Sequence, residues 1–335
     1  MLKERQLIEI AAKLAAERGC GPSVVLGIGD DCALLQPDPD KYLAVTTDCL
    51  AEGIHFDLAY FSPYELGSKA AAVNLSDIAA MGGVPKWAFV AISTPTDTTP
   101  SFMEQLFTGI TKTLAREGAC LAGGDSVAST GPLTVTVTVM GEVDKKKYLA
   151  RDRARPGELI FCSGSLGLAA MGLEWLKCFG RKGKSIPRYV FRKILTSHLL
   201  PQPRLKLGQA LAASGLVRCA IDVSDGPATD IAHICDMSRV KAVIYKNAIP
   251  ISRASKVVGR ILKVNPLLAA LQGGEDFELI WTAHPSHQRQ IAQIADLVGT
   301  TSHVIGKIVK GRGVWLDEGN GIQKEISYKG YEHEL

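Results

Sequence analysis

The chain has 335 residues, 46% of them apolar and 21% charged, with a formal net charge of +4. This composition excludes a disordered chain, and at roughly 100 to 200 residues per domain the length suggests two domains. The small positive balance is too little to imply a nucleic-acid partner, and the cations, without interleaved aromatic residues, give no sign of a strand-binding surface.

The opening "MLKERQLIEIAAKLAAERG" reads as a charged amphipathic helix, about 3 to 19, lacking the apolar core of a signal peptide. Gly21 and Pro22 lead to the strand-like "VVLGIG" and then to the strand "YLAVTTD", Tyr42 to Asp48. "YELGSKAAAVNLSDIAAMGG" is an Ala-rich helix closed by Gly82 and Gly83, with Pro85 just beyond. The apolar window from Ala70 to Ile92 is broken by Asn74, Asp77, Gly82, Gly83, Pro85 and Lys86, which excludes a bilayer span. A strand "KWAFVAIS", a helix at about 101 to 117, the segment "ACLAGGDS" and the alternating strand "LTVTVTVMGEV" complete the first half. The expected architecture is α+β, a sheet with helices on one face, rather than a Rossmann sheet.

The composition turns basic at "VDKKKYLARDRARPGE", which places a boundary near 150 and divides the chain into 1–150 and 151–335. The second half reads as a strand "LIFCSG", a helix, a basic loop "GRKGKSIPRYVFRK", a helix at 203 to 214 and the strand "CAIDVSDG". Another helix and the segments "GGEDFELIWTA" and "HVIGKIVKGRGVWLD" follow. The eight cysteines form no CxxC pair and sit in apolar neighbourhoods, as in "LIFCSG". Buried thiols in a reducing, cytoplasmic setting are expected.

Five acidic segments read as turns: "GDD" at 29–31, "TTD" at 46–48, "GGD" at 123–125, "DVSDG" at 222–226 and "GGED" at 273–276. Asn74 and Asp77 add oxygens on one helix face. Singly, each is ordinary turn chemistry. Together they pose an electrostatic problem, since two carboxylates about 4 Å apart repel by roughly 4 kcal/mol at an effective dielectric of 20. Hard divalent cations relieve such a gathering, and oxygen donors without matching His or Cys favour Mg²⁺. No G-x-x-x-x-G-K-[ST], protein-kinase Gly-rich loop, H-E-x-x-H or G-x-S-x-G is present, and "DVSDGPATD" fails as an EF-hand loop.

"GIGDDCALL", "VTTDCLAEGIHF", "KAAAVNLSDIAAMGG", "AGGDS", "IDVSDG", "GGEDFEL" and the terminal "YKGYEH" together resemble the thiamine-monophosphate kinase family. That family belongs to the superfamily of aminoimidazole ribonucleotide synthetase. The resemblance runs in order from about Gly27 to Tyr331. It implies a two-domain aminoimidazole ribonucleotide synthetase-like fold, with an N-terminal mixed sheet that forms a dimer barrel and a C-terminal α/β layer domain. Residues 1–150 would bind ATP and Mg²⁺ and dimerise, and residues 151–335 would complete the active site.

The implied reaction takes ATP and thiamine monophosphate to thiamine diphosphate and ADP by direct in-line transfer, with several Mg²⁺ ions, in a cytoplasmic homodimer without membrane or nucleic-acid partners. Carried onto this sequence, Asp31, Thr46, Thr47, Asp48, Asp77, Asp125, Asp222 and Asp225 form the metal shell. Gly124, Asp125, Ser224 and Arg151 meet ATP, and Asp48, Asp225 and Arg151 act in catalysis. His55, Glu275 and Tyr331 meet the substrate, whose cationic thiazolium suits a carboxylate and an aromatic face. Ser126, Cys49 and Pro227 depart from the usual pattern, and Pro227 removes an N–H beside Asp225, which leaves the geometry of that loop open. Two other readings stay open: another ATP-using superfamily member, of hydrogenase-maturation or selenophosphate-synthetase type, and a silent nucleotide-binding scaffold.

Overall fold

The computed structural model describes residues 10–11, 13–15, 17, 24–26, 34–35, 37–183 and 186–331. The expected N-terminal helix is helical wherever it is described, while Asp31 and most of "GIGDDCALL" lie outside the described residues. The chain divides into two compact units, the first of residues 1–78 and 83–145, the second of 79–82 and 146–335.

In the first unit, β1 (Val24–Leu26) and β2 (Leu34–Leu35) form a small antiparallel pair. The main sheet has four strands, β3 (Lys41–Ala51), β4 (Val84–Pro95), β5 (Cys120–Ser129) and β6 (Thr134–Asp144), in the order β3-β6-β4-β5. It is mixed: β6 runs antiparallel to β3 and β4, and β4 runs parallel to β5.

Helix α1 (Pro63–Ala80) starts with a capping box, in which Ser62 Oγ accepts from Glu65 N–H at 3.3 Å while the Glu65 carboxylate accepts from Ser62 N–H at 2.9 Å. Pro63 follows at the first helical position, where its missing N–H costs nothing. The helix is buried nearly all round, including Lys69, Asn74 and Ser76 at 0% exposure. Helix α2 (Pro100–Arg116) packs on β5 and joins α1 through a buried Ser68–Thr113 hydroxyl contact of 2.7 Å.

The second unit is built on a seven-stranded sheet, β7 (Leu159–Ser163), β8 (Cys219–Asp222), β9 (Lys241–Tyr245), β10 (Leu279–Ala283), β11 (Ser302–Val309), β12 (Gly313–Asp317) and β13 (Gln323–Glu325). Its order is β13-β12-β9-β11-β7-β10-β8, antiparallel except between β9 and β12. Apolar residues of β7 to β12 form one core with α6 (Pro227–Ser238), and Phe161 stacks on Trp281 at 5.7 Å. Helices α3 (Leu168–Phe179), α4 (Arg188–Leu199), α7 (Arg253–Leu262) and α8 (Pro266–Gln272) pack on one another, and α5 (Leu205–Ser214) packs against α9 (Gln288–Leu297).

The α+β architecture agrees with the sequence reading, but several local expectations do not. "TTD" and "GGD" are not turns: Thr46 to Asp48 lie inside β3, and Gly123 to Asp125 lie inside β5. β-branched Thr favours an extended backbone, and glycine at 124 lets β5 approach β4, since a Cβ there would sit 2.1 Å from the Val90 carbonyl oxygen. The last six residues of the basic "loop" open helix α4, whose apolar positions Val190, Ile194, Leu195 and Leu199 repeat at helical spacing and are buried. Pro227 leaves the acidic loop intact, because it opens α6 at a position where no intrahelical N–H is needed.

Candidate active site

In the first unit the alternation of β3 sorts the acidic segment. Thr46 and Asp48 point toward α1, where Thr46 Oγ1 donates to Asp77 Oδ2 at 2.5 Å. Burial, and then the charge of Asp77, push the Asp48 carboxyl up to about 6. Thr47 faces the other side of the sheet and accepts a hydroxyl bond from Thr138 at 2.9 Å, so its side chain does not join that group. One turn before Asp77, the wholly buried Asn74 donates to the Ala70 carbonyl at 3.1 Å while its Oδ1 has no hydrogen-bond partner.

Asp125 and Gly124 lie on β5, the edge opposite β3. Two strands intervene, which at about 4.8 Å per step puts Asp125 roughly 14 Å from β3. Asp125 is exposed, and its Oδ1 accepts from Ser126 N–H at 2.8 Å. His55 sits beyond the end of β3, and its Nδ1 accepts from Ala51 N–H at 3.1 Å. The ring proton is thereby assigned to Nε2, which becomes a donor edge. The buried Lys69 donates to the His55 carbonyl at 3.3 Å and lies 5.3 Å from the Phe61 ring centroid.

In the second unit three segments converge. β8 delivers Asp222, 2% exposed, at its C-terminal end, and the loop at 223–226 follows. The segment 274–278 continues the ladder beside that loop: Phe277 N–H donates to Val223 C=O at 2.9 Å and Glu275 N–H to Ser224 C=O at 2.8 Å. From the other flank, Tyr331 N–H donates to Asp225 C=O at 2.9 Å. Ser224, Asp225, Glu275 and Tyr331 thus belong to one hydrogen-bonded assembly, and Asp222 borders it.

Glu275 holds a left-handed φ of 66°, and its Oε2 lies 3.0 Å from Nδ1 of the buried His198, a contact that is an ion pair only when the imidazole is protonated. Neighbouring Asp276 turns away and accepts from Gly167 and Ala169 N–H, capping α3, while burial lifts its carboxyl to about 7. Arg151 lies in a short helical turn, Arg151–Arg153, fixed by Ser238 Oγ donating to its carbonyl at 2.7 Å.

Asp230 belongs to this group although the sequence reading passed over it. It is 1% exposed, its Oδ1 accepts from Asp225 N–H at 3.4 Å, and its Oδ2 has no hydrogen-bond partner. Burial, then the charges of Asp222 and Asp225, push its carboxyl well above the usual range, and the Arg151 guanidinium counteracts them. The available signal was its place in "DVSDGPATD", where an acid in a helix's first turn has an ordinary dipole explanation.

Among the described residues no three His, Cys, Asp or Glu side chains form a ready-made metal cage. The donors nonetheless fit a hard divalent cation: they are oxygens, two of them buried without hydrogen-bond partners, and the carboxyls of Asp48 and Asp230 are raised by burial and, after it, by carboxylate neighbours whose charge a cation would neutralise. No helix among the described residues is long and apolar enough to cross a membrane.

Comparison with known proteins gives a consistent assignment. Residues 29–143 match the model of the AIR synthase related protein, N-terminal domain, and residues 155–317 match that of the C-terminal domain. The chain is 37% identical over 315 residues to thiamine-monophosphate kinase of Haemophilus influenzae, covering 93% of this chain and 92% of the relative. The crystal structure of thiamine-monophosphate kinase from Stenotrophomonas maltophilia K279a is similar at a TM-score of 0.83 and 35% identity, over 94% of this chain and 97% of that one. A structure described as AaThiL complexed with AMPPCP and TMP is similar at 0.76 and 30% identity, over 88% and 89%.

Proposed function

The chain belongs to the thiamine-monophosphate kinase family, and from that premise we propose that it transfers the terminal phosphoryl group of ATP to thiamine monophosphate, giving thiamine diphosphate and ADP. The observation that carries this reading is the assembly in the second unit, where the acidic loop at 222–226 is hydrogen-bonded to both segments bearing a residue for a cationic organic acceptor, Glu275 and Tyr331. The solved relative described with AMPPCP and TMP supports the same pairing of donor and acceptor.

The chemistry follows from these groups. A phosphate monoester with a second pKa near 6 is largely a dianion at neutral pH, so the acceptor needs no strong general base. Positioning and charge neutralisation dominate, which suits direct in-line transfer. Mg²⁺ ions, held in the first unit by Asp48 and Asp77 with Asp31, Thr46 and Asp125 as further oxygens, and in the second by Asp222, Asp225 and Asp230, would supply charge neutralisation for the donor and acceptor phosphates, and Thr47, whose hydroxyl faces away, has only its carbonyl to offer. Arg151 offers a planar fork to the ATP phosphates, beside Gly124 and Ser224. His55 presents Nε2–H to the acceptor, and Glu275 with Tyr331 receives its thiazolium.

This reading assigns nucleotide and cation binding to residues 1–150 and completion of the active site to residues 151–335, in a cytoplasmic homodimer. Exposed Leu43 and Val45 on β3 and Val127 on β5 support pairing of the four-stranded sheet with a second copy. The functional test compares acceptors: ATP consumption with thiamine monophosphate should exceed that with thiamine or with no acceptor by at least about 100-fold, and EDTA should abolish it. Equal consumption with all three would overturn the acceptor assignment.

A further inference from the structure

The acidic loop is gripped through its main chain on both flanks, and each grip depends on a glycine. On one side Glu275 N–H donates to Ser224 C=O at 2.8 Å, with Gly274 packed so close that a Cβ there would lie 2.1 Å from that oxygen. On the other side Tyr331 N–H donates to Asp225 C=O at 2.9 Å. Gly330 N–H donates to Thr229 Oγ1 at 3.0 Å, and a Cβ on Gly330 would lie 2.2 Å from the Asp225 oxygen. Farther along α6, the Tyr328 hydroxyl donates to the Asp236 carboxylate and its ring meets the His233 edge at 5.4 Å. The tail therefore follows α6 for two turns before reaching the loop.

The main-chain bonds make this more than neighbourhood. A ligand that seats Glu275 and Tyr331 fixes the backbone of residues 275 and 331, and those N–H groups fix the carbonyls of Ser224 and Asp225. The loop cannot adjust its carboxylates independently of the two segments beside it. Coupling between sites requires a shared element that both bias, and here it is the 223–226 backbone.

We propose that Gly330, with Gly274 opposite, is a positioning residue that couples acceptor binding to divalent-cation binding, so that the thiamine moiety tightens metal at Asp222 and Asp225. This rests on the assignment of Glu275 and Tyr331 to that moiety. By linkage, metal tightens thiamine by the same factor. The chemical consequence is that the charge-neutralising site is fully organised only when an acceptor is present, which restrains transfer of the phosphoryl group to water.

The test uses the full-length protein saturated with a methylene analogue of ATP. Mn²⁺ affinity is measured by electron paramagnetic resonance with and without thiamine, which carries no phosphate to ligate the metal itself. The wild type is expected to bind Mn²⁺ about fivefold or more tightly with thiamine. Gly330→Ala and Thr229→Val should reduce that factor below about twofold, while thiamine and Mn²⁺ each still bind. Thr229→Val preserves shape while removing the hydroxyl that accepts from Gly330, and it carries the test if Gly330→Ala fails to fold. Thiamine bound to the wild type without change in Mn²⁺ affinity overturns the coupling, full coupling in a folded variant overturns the role of Gly330 in it, and both leave the acceptor assignment standing. Thiamine failing to bind the wild type in equilibrium dialysis while thiamine monophosphate binds overturns the seating of the thiazolium at Glu275 and Tyr331 and the coupling with it, and failure of both to bind overturns the acceptor assignment.

Discussion

Asp48 sits half-buried beside Asp77, and its carboxyl is pushed up to about 6 from 3.8. A carboxyl raised on folding binds more protons in the native state than in the unfolded one, so stability falls as pH rises from about 4 through 6, and the cost persists above. Asp48→Asn removes that cost. The metal-free variant is expected to melt no lower than wild type at pH 7.5, by calorimetry, and any advantage should shrink toward pH 4. Its turnover should fall by about 100-fold or more, since a transition-state charge partner is lost. Near-normal turnover in the folded variant would remove Asp48 from the catalytic group.

Lys69 gives a second prediction at this scale. Its ammonium is wholly buried and holds the His55 carbonyl, so Lys69→Met should raise KM for thiamine monophosphate several-fold and leave KM for ATP nearly unchanged. Equal changes in both would show a general loss of packing. The sequence makes Asp222, Asp225 and Glu275 visible because each stands in a Gly-rich acidic segment. Lys69, His198 and Asp230 carry no such marker, since their partners come from other segments or, for Asp230, from a helix turn where an acid is already explained.

At the scale of elements, Asp276 illustrates how one acidic segment divides its labour. Glu275 remains with the acidic loop, while Asp276 caps the N-terminus of α3. Asp276→Ala leaves two N–H groups unpaired, which costs about 2 to 4 kcal/mol and should lower the melting temperature by about 5 to 10 °C. An unchanged melting temperature would mean that solvent replaces the cap. The strands and helices themselves were legible where periodicity was strong, as in the alternation of β6 and the Ala-rich α1. Legibility failed where one signal masked another. Thr-Thr-Asp in β3 and Gly-Gly-Asp in β5 imitate turns, although cross-strand pairing holds both segments extended, and the cations of α4 concealed its apolar stripe.

For the whole molecule, the uncovered sheet face predicts a homodimer of about 72 kDa, twice the 35.9 kDa chain, by light scattering. Val45→Asp places a charge on that face and should shift the protein to the monomer; a wild-type monomer would contradict the pairing. The central claim is direct transfer from ATP to thiamine monophosphate, and a single turnover with γ-³²P-labelled ATP, Mg²⁺ and excess enzyme tests it most directly. Label is expected to pass from ATP to the terminal phosphate of thiamine diphosphate, with no labelled protein at any time point. Label on the protein would contradict direct transfer, and label appearing only in inorganic phosphate would contradict the kinase assignment itself.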